Sequence, residues 1–400
     1  MTSCSVRFDY TTWEEQKMIT IAIKMLIGNK ASCIGVIFGI FLATLLISQQ
    51  SAIFLGLISR SYRMVTDIPV PNLWIVDPST ESDEKVRGMP EGYVNTVRSI
   101  PNIEWASPIG VTYANLVTNS GVFEVCHLYG IDDAALIGAP LNILEGRVQD
   151  LRREGGVIVD VYSANGLLAK TLSDGTTIPL KVGDFFEINN HRAVVVGICK
   201  ITQGFYPQPI IFTSMSQFKL FTSIPGHSVG FIAAKSKPGA DVDQILKKIN
   251  SYYMLNGLTT NELEWRMAKS FLKTGILINF GLSVALGIII GFSIAGQIFY
   301  IMTLQNLMYY AVIKAIGGNA RIIYQMITIQ TAIVCVVGFL LGTGATLLWG
   351  SLVKDTTLAF LFPWQLLVFT GFIVVIIGLF TAGLSIHKVL KTDPKVLMGN

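Results

Sequence analysis

The sequence predicts an α-helical membrane protein. In this prediction four transmembrane helices carry a mixed α/β extracytoplasmic domain inserted between the first and the second helix, and an interfacial amphipathic helix precedes the first span. Hydrophobic residues make up 51% of the 400 residues and charged residues only 14%, a balance too apolar for an ordinary soluble domain. The charges are also segregated, because four long segments contain no Asp, Glu, Lys or Arg: residues 31–59, 274–313, 322–353 and 356–386.

Each of these segments exceeds the roughly 20 residues with which an α-helix crosses the hydrocarbon core. One charge at mid-bilayer costs at least about 2.5 kcal/mol, which explains why the segments exclude charge. We therefore place transmembrane spans at 31–59, 274–302, 322–352 and 366–386. The remaining segments are an N-terminal region at 1–30, a large domain at 60–273, a loop at 303–321, a short loop at 353–365 and a tail at 387–400.

Loop charge predicts the orientation of the chain. The segments 1–30, 303–321 and 387–400 together hold nine basic and four acidic residues, whereas the domain at 60–273 holds 20 basic and 21 acidic residues. Because cytoplasmic loops carry the excess of Lys and Arg, both termini and the 303–321 loop are expected in the cytoplasm. The net charge of +4 is thus an orientation signal and gives no indication of nucleic-acid binding.

The N-terminal region has the features of a helix that lies in the membrane interface. Thr12 and Glu15 are spaced as a capping box, and apolar residues follow at roughly helical intervals. The apolar run that begins at residue 31 is about twice too long for the core of a signal peptide, and no A-x-A-like site follows it. We therefore expect the first span to be an uncleaved anchor.

The sequence pattern of the domain at 60–273 is typical of a mixed α/β fold. Its strands are predicted at 72–77, 111–117, 122–131, 156–161, 193–198, 209–213 and 229–234, bounded by Gly, Pro, Asn and Asp. Helices are predicted at 93–100, 241–255 and 263–273, the last running straight into the second span. The stretch 132–222 is rich in predicted strands, so we expect an α/β subdomain split by a β-rich insertion.

The sequence offers little that could support catalysis. The GHSVG stretch at 226–230 matches a nucleophile elbow, but Ser228 is followed by a predicted strand and not by the helix that an elbow requires. The four histidines are isolated, and there is no H-E-x-x-H, no paired C-x-x-C and no P-loop sequence. We expect no catalytic residue, no metal and no cofactor on this chain. Cys126 and Cys199 both lie in the outer domain, and their spacing leaves open whether they pair.

Small residues recur at four-residue intervals in three of the four spans. The pairs are Gly35 with Gly39, Gly287 with Gly291, and Gly338 with Gly342. Such spacing allows helices to approach closely, either within the chain or between two copies of it. Gln297 and Gln330 are uncharged polar residues inside the spans, and we expect them to form hydrogen bonds across helices.

The order of these elements, together with the loop sequence VIKAIGGN at 312–319 and the amphipathic start of the third span at 322–330, resembles the MacB-like, FtsX-type permeases of ABC transporters. The stretch NLWIVDP at 72–78 resembles the DevC branch of heterocyst-type exporters. The family usually has a basic and an acidic residue just before the loop, where this chain has MYYA at 308–311. Contact with an ATPase would then depend on aromatic packing and on Lys314.

The resemblance implies a non-catalytic permease subunit of the bacterial inner membrane that pairs as a dimer and is driven by a separate ABC ATPase subunit holding the ATP. It also implies a periplasmic adaptor and an outer-membrane duct, and export of a lipid, a glycolipid or another amphiphile. The residues expected to couple the permease to the ATPase are Tyr309, Tyr310, Lys314, Ala315, Ile316, Gly317, Gly318 and Arg321.

Two other functions are compatible with the same architecture. One is a lipoprotein-release permease, and the other is a non-transporting mechanotransducer that regulates an envelope hydrolase or a sensor. The substrate, the adaptor and the identity of the second permease copy are left open by the sequence.

Overall fold

The computed structural model describes residues 10–171, 176–204, 206–222, 228–252, 255–315, 320–353, 356 and 358–391. The chain forms two compact units. One comprises Met1–Gly56 and Ile276–Asn400, and the other comprises Leu57–Gly275. We call them the helical unit and the inserted domain.

Twelve α-helices lie in the described part of the chain. They are α1 (Tyr10–Gly28), α2 (Lys30–Ser61), α3 (Arg63–Asp67), α4 (Gly92–Arg98), α5 (Val161–Asn165), α6 (Met215–Thr222), α7 (Val242–Ile249), α8 (Thr260–Leu272), α9 (Ile276–Gln305), α10 (Leu307–Ala315), α11 (Ala320–Leu352) and α12 (Trp364–Lys391). The helices α2, α9, α11 and α12 are long and apolar enough to cross a membrane. Together with the mixed α/β domain between α2 and α9, they confirm the predicted fold class.

The N-terminal helix α1 packs along α11. Ala22 and Leu26 of α1 are buried, and the side chain of Gln330 on α11 donates a hydrogen bond to the carbonyl oxygen of Ala22. Thr12 lies inside α1, which already begins at Tyr10, so its predicted role as the N-cap was wrong.

Glycines set the distance between the long helices of the helical unit. A Cβ atom on Gly338 or Gly342 of α11 would lie 2.6 Å from a side-chain carbon of Ile40 or Thr44 on α2. The other paired glycines also face a neighbouring helix of the same chain, as follows: Gly35 faces Ile298, Gly39 faces Ile294 and Ala295, Gly287 faces Leu46 and Ile47, and Gly291 faces Ala43 and Ile377. All six therefore lie where two helices of one copy approach each other closely.

The strands of the inserted domain are β1 (Leu73–Val76), β2 (Met89–Pro90), β3 (Ile103–Thr118), β4 (Phe123–Ile131), β5 (Ile143–Gly146), β6 (Gly156–Asp160), β7 (Lys170–Thr171), β8 (Thr177–Ile178), β9 (Phe185–Ile188), β10 (His191–Cys199), β11 (Ile210–Ser214), β12 (Ser228–Val229), β13 (Phe231–Ser236) and β14 (Asn256–Thr259). Ten of them form one sheet in the order β14-β1-β13-β3-β4-β11-β6-β10-β5, with β9 pairing both β10 and β3.

The long strand β3 connects the two halves of this sheet. Its first half pairs with β13, from Ile103 to Ile109, and its second half pairs with β4 and with β9. The pairing therefore runs from β3 through β4, β11, β6, β10 and β9 back to β3, which closes six strands into a barrel. Strands β5, β6, β9, β10 and β11 of the predicted 132–222 insertion thus lie in the same sheet as β3 and β4, whereas β7 and β8 form a separate two-stranded sheet.

Several local predictions need correction. The helix predicted at 241–255 ends at Ile249, because Asn250 closes it and accepts a hydrogen bond from the amide of Gly257. Helix α8 does not run straight into the second span. It ends at Leu272, and Gly275, with φ +82°, separates it from α9.

Cys126 and Cys199 are both free and both buried. They belong to different apolar cores of the inserted domain, so the alternative of a disulfide between them is not realised. Burial raises the pKa of the Cys126 thiol to about 12, which leaves it unreactive. Ser228 lies in β12 and is followed by β13, an arrangement that excludes a nucleophile elbow.

The close contact at Gly342 gives a first prediction. Gly342→Ala should destabilise the helical unit by about 1–3 kcal/mol, because the new Cβ would meet Thr44 Cβ at 2.6 Å and Phe41 O at 2.9 Å. The matched control is Gly344→Ala on the same helix, where a Cβ meets nothing within 4 Å. Thermal unfolding of the purified protein in detergent measures both. Equal effects of the two substitutions would contradict the assigned packing.

Candidate functional site: the junction of α9, α10 and α11

The connection between the second and the third span is mostly helical. Helix α9 ends at Gln305, Asn306 breaks the helix, and α10 continues from Leu307. The Asn306 carbonyl accepts the amide of Tyr309 at 3.0 Å, so α10 begins directly at the break. The side chain of Asn306 is buried, and its amide nitrogen has no partner among the described residues. The break is thus held inside the packed structure.

Tyr310 anchors α10 to the rest of the helical unit. It is only 2% exposed, and its hydroxyl donates to Gln330 Oε1 on α11 at 3.2 Å. Gln330, which is fully buried, donates from Nε2 to the carbonyl oxygen of Ala22 on α1 at 3.0 Å. One amide side chain therefore links α10, α11 and α1, and both of its polar atoms are satisfied where water is excluded.

A second polar link joins two helix breaks. Asn29 lies between α1 and α2, and its Oδ1 accepts the amide of Ser32 at 3.2 Å, which caps the start of α2. Its side-chain amide donates to Gln305 Oε1 at the end of α9, and the Ser32 hydroxyl donates to the same oxygen at 3.2 Å. The break between α1 and α2 therefore contacts the break between α9 and α10.

The outward face of α10 is apolar and accessible. Met308, Tyr309 and Val312 are 54%, 61% and 40% exposed. Met308 and Val312 lie on the side of the helix opposite Tyr310, and Tyr309 lies about 100° around the helix from it. An exposed aliphatic and aromatic stripe on a short helix is a surface that a groove on another protein can receive.

Not all residues predicted for this site share that face. Tyr309 and Arg321 are exposed, as a contact residue must be. Tyr310 points inward, so its side chain cannot meet a partner in this conformation. The side chains of Lys314 and Ala315, and the whole of Ile316, Gly317 and Gly318, lie outside the described residues. Met308 and Val312 were missed, although their helical spacing from Tyr309 is visible in the sequence.

The two intramembrane glutamines behave differently. Gln330 forms the bridge described above, whereas Gln297 is exposed on α9. The expected hydrogen bond across helices is therefore found for Gln330, and Gln297 faces away from the rest of its own chain.

The inserted domain holds a second polar cluster that the sequence did not reveal. Arg63, on the short helix α3, is 4% exposed, and its Nη2 lies 2.8 Å from Tyr129 Oη and 2.9 Å from His127 Nδ1. The same nitrogen lies 3.7 Å from Asp83 Oδ2, which also accepts the Tyr129 hydroxyl at 2.9 Å. Tyr113 stacks on His127 with ring centroids 4.8 Å apart.

Burial controls the ionisation of this cluster. Desolvation lowers the pKa of His127 to about 4, so the imidazole is neutral at pH 7. Desolvation, together with the neighbouring Asp83 carboxylate, raises the pKa of Glu84 to about 7. Both nitrogens of His127 have partners, since Nε2 lies 3.2 Å from the carbonyl oxygen of Asp83. The cluster is therefore a structural polar network, and among the described residues no group of three or more His, Cys, Asp or Glu side chains is placed to hold a metal.

Comparison with known families matches both units. A model of the MacB-like periplasmic core domain matches residues 32–252, more than half of the chain, and a model of the FtsX-like permease C-terminal domain matches residues 281–394. The chain belongs to this permease family. It is a multi-pass membrane protein that combines a MacB-like periplasmic core domain with an FtsX-like permease domain.

Individual relatives are more distant. The chain is 25% identical over 225 residues to the "Putative hemin transport system permease protein HrtB" of Staphylococcus haemolyticus (strain JCSC1435), and the match covers 55% of this chain and 60% of that protein. The periplasmic region of MacB from Actinobacillus actinomycetemcomitans covers 50% of this chain and 94% of its own length, with 14% identity and a TM-score of 0.37. The extracellular domain of the noncanonic ABC-type transporter YknZ from Gram-positive bacteria covers 47% of this chain and 99% of its own length, with 10% identity and a TM-score of 0.33.

The Gln330 bridge yields a prediction for the helical unit. Tyr310→Phe and Gln330→Leu should each destabilise the unit, by about 1 kcal/mol for Tyr310→Phe, because each leaves a buried polar group without its partner. The double variant should lose less than the sum, with a coupling of about 0.6–1.7 kcal/mol. Thr328→Val, which removes a hydroxyl bonded within α11 to the carbonyl oxygen of Tyr324, is the control and should be nearly neutral. The measurement is denaturant unfolding of the wild type and these four variants in detergent. Strictly additive effects of Tyr310→Phe and Gln330→Leu would contradict the bridge.

The raised pKa of Glu84 predicts how stability depends on pH. The folded state favours the protonated carboxyl, so its stabilising effect is complete below pH 4.5 and is lost as the pH rises through about 7. Glu84→Gln should therefore match the wild type at pH 4.5 and exceed it at pH 8 by about 1–2 kcal/mol, after allowance for the partial exposure of the side chain. The measurement is thermal unfolding of both proteins across this range. A pH-independent difference would show that Glu84 titrates normally.

Proposed function

We propose that this chain is the membrane subunit of an ABC exporter and that a separate ABC ATPase subunit drives it by moving α10. The observation that carries the proposal is the division of α10 into two faces. Met308, Tyr309 and Val312 point outward, where a partner can reach them, whereas Tyr310 is hydrogen-bonded to α11. A helix that is accessible on one side and anchored on the other can receive a displacement and pass it to the spans.

The charge distribution supports this role. Lys314 lies near the end of α10, and Arg321 lies at the start of α11. Positively charged loops face the cytoplasm, where an ATPase is found. Helix α10 would then lie on the cytoplasmic side, with the inserted domain outside. ATP binding and hydrolysis belong to the partner subunit, since the sequence has no P-loop.

The proposed substrate is an amphiphile handled on the outer side of the membrane. Two independent hints agree on this class. One relative is named as a hemin transport permease, and the residues 72–78 resemble the DevC branch, which is associated with glycolipid export. Hemin and glycolipids each combine a large apolar body with charged or polar groups. We expect a periplasmic adaptor and an outer-membrane duct to receive the substrate.

A second copy of the chain completes the proposed transporter. Helix α9 is the least buried of the four spanning helices, and the exposed Gln297 lies on it. A polar amide that faces hydrocarbon is costly unless another polar group meets it. A symmetric dimer in which α9 pairs with its counterpart would give Gln297 such a partner.

The proposed coupling to an ATPase can be tested by co-purification. We expect an ABC ATPase to co-purify with the tagged chain from gently solubilised native membranes. Tyr309→Glu should reduce its recovery at least tenfold, because it places a charge in an apolar contact worth more than about 1.4 kcal/mol. Lys314→Glu tests the sequence-based part of the site in the same assay.

The matched control is Tyr252→Glu, which alters another exposed tyrosine on the inserted domain. It should leave ATPase recovery unchanged. Recovery of an envelope hydrolase in place of an adaptor would favour the regulatory function, and accumulation of lipoproteins in the inner membrane on depletion of the chain would favour lipoprotein release. If no ATPase is recovered with the wild type under conditions that preserve other ABC complexes, the proposal is wrong.

A further inference from the structure

The loop between β1 and β2 is a folded segment. We call residues 77–87 the clasp loop. Asp77 Oδ1 accepts the amide of Ser79 at 2.8 Å, and the Asp77 carbonyl accepts the amide of Thr80 at 2.9 Å. The Thr80 hydroxyl in turn accepts the amide of Arg87 at 3.0 Å, which closes the loop. Thr80, Ser82 and Asp83 are buried, so the loop has a defined conformation.

One side of the clasp loop contacts α3, the segment that follows the first span. Helix α2 ends at Ser61, and α3 begins two residues later with Arg63. The Arg63 guanidinium lies 3.7 Å from the Asp83 carboxylate, and both side chains are 5% exposed. Tyr129 Oη and His127 Nδ1 also lie within hydrogen-bond distance of the same guanidinium nitrogen. A buried ion pair of this kind holds its position firmly, because separating it leaves a charge without compensation.

The other side of the clasp loop contacts α8, the helix that precedes the second span. Arg266 Nη2 of α8 donates to the Pro78 carbonyl at 2.6 Å. Lys273 Nζ lies 2.8 Å from Glu81 Oε1, and the Ser270 hydroxyl donates to Glu81 Oε2 at 3.4 Å. Arg266, Ser270 and the C-cap residue Lys273 are spaced by four and three positions, so one face of α8 and its cap makes all the contacts.

The two segments that contact the clasp loop, α3 and α8, also pack against each other. Met64 and Val65 of α3 lie in the same apolar core as Leu263 and Met267 of α8. The clasp loop therefore adds polar contacts to an existing apolar contact, and its short backbone joins Asp83 to Glu81 and Pro78.

We propose that the clasp loop locks the segment after the first span and the helix before the second span into one rigid body, with Arg63 and Asp83 as the positioning residues. A displacement of either span would then reach the barrel strand β4, on which His127 and Tyr129 lie, through both segments at once. The functional side of this proposal depends on the proposed exporter role, whereas the locking itself does not.

The two sides of the clasp loop differ in strength. The Lys273–Glu81 pair is 60% and 38% exposed, so it is weak and screened by salt. The Arg63–Asp83 pair is shielded from water, and its loss should matter far more. Loss of the buried pair should therefore loosen the segments measurably, and removal of Glu81 should add to that effect.

The test is a distance measurement on the full chain in detergent. Spin labels at positions 66 and 269, which are exposed on α3 and α8, report the separation of the two segments by pulsed electron resonance. Cys126 and Cys199 can stay, since both are buried. The wild type should give one narrow distribution. Asp83→Asn combined with Glu81→Gln should broaden it at least twofold, while Glu91→Gln, which breaks the 2.8 Å pair with Lys219 elsewhere in the domain, should not.

A second double variant keeps the test decisive if the first double variant fails to fold. Arg63→Met combined with Asp83→Leu removes both charges and leaves no buried ion alone. It should broaden the distribution in the same way while the domain stays folded by circular dichroism. A distribution as narrow as that of the wild type in both double variants would overturn the clasp. Because the distance is measured without an ATPase, failure of the exporter proposal would not change this result.

Discussion

The structure depends on the cost of placing charge and unpaired polar groups in hydrocarbon. That cost removes every Asp, Glu, Lys and Arg from the four long apolar segments and confines charged side chains to their ends and to the inserted domain. The helices must then associate without ion pairs. They do so through glycines, which let α11 approach α2 until Gly338 contacts Ile40 and Gly342 contacts Thr44.

Two sets of polar side chains join helices of the helical unit. Gln330 uses both ends of its amide, one toward Tyr310 and one toward the backbone of α1. Asn29 and Gln305 join the two places where a helix is interrupted. In the inserted domain the same logic applies to Arg63, whose charge is tolerated in the interior only because Asp83, Tyr129 and His127 surround it. These polar contacts thus join elements that lie far apart in the chain.

The sequence predicted the fold class because the signals for it are local. Charge-free segments of sufficient length identify spanning helices, and runs of β-branched residues identified β4, β6, β10 and β11 nearly to their ends. The strand β3 was predicted only from residue 111, although it begins at Ile103, because Ser107, Pro108 and Gly110 interrupt its pattern. The closure of the barrel by β9 was not visible, since a strand of four residues with one pairing to a distant strand carries little local signal.

The candidate site was predicted only in part, because the sequence does not show in which direction each side chain of a helix points. The position of the loop followed from the spans, but adjacent residues of a helix point about 100° apart, and nothing in the sequence showed that Tyr310 turns inward while Tyr309 turns outward. The Arg63 cluster joins residues from α3, the clasp loop and β4, and no periodicity connects positions so far apart in the chain. Contacts of this kind require the tertiary structure.

The proposed function places the ATPase against the outward face of α10. It is tested most directly by a photo-crosslinking amino acid at position 309 or at position 310, irradiated in native membranes. We expect a crosslink to an ABC ATPase from position 309 and none from position 310, because Tyr309 is 61% exposed and Tyr310 only 2%. Equal capture from both positions, or capture from position 310 alone, would contradict it.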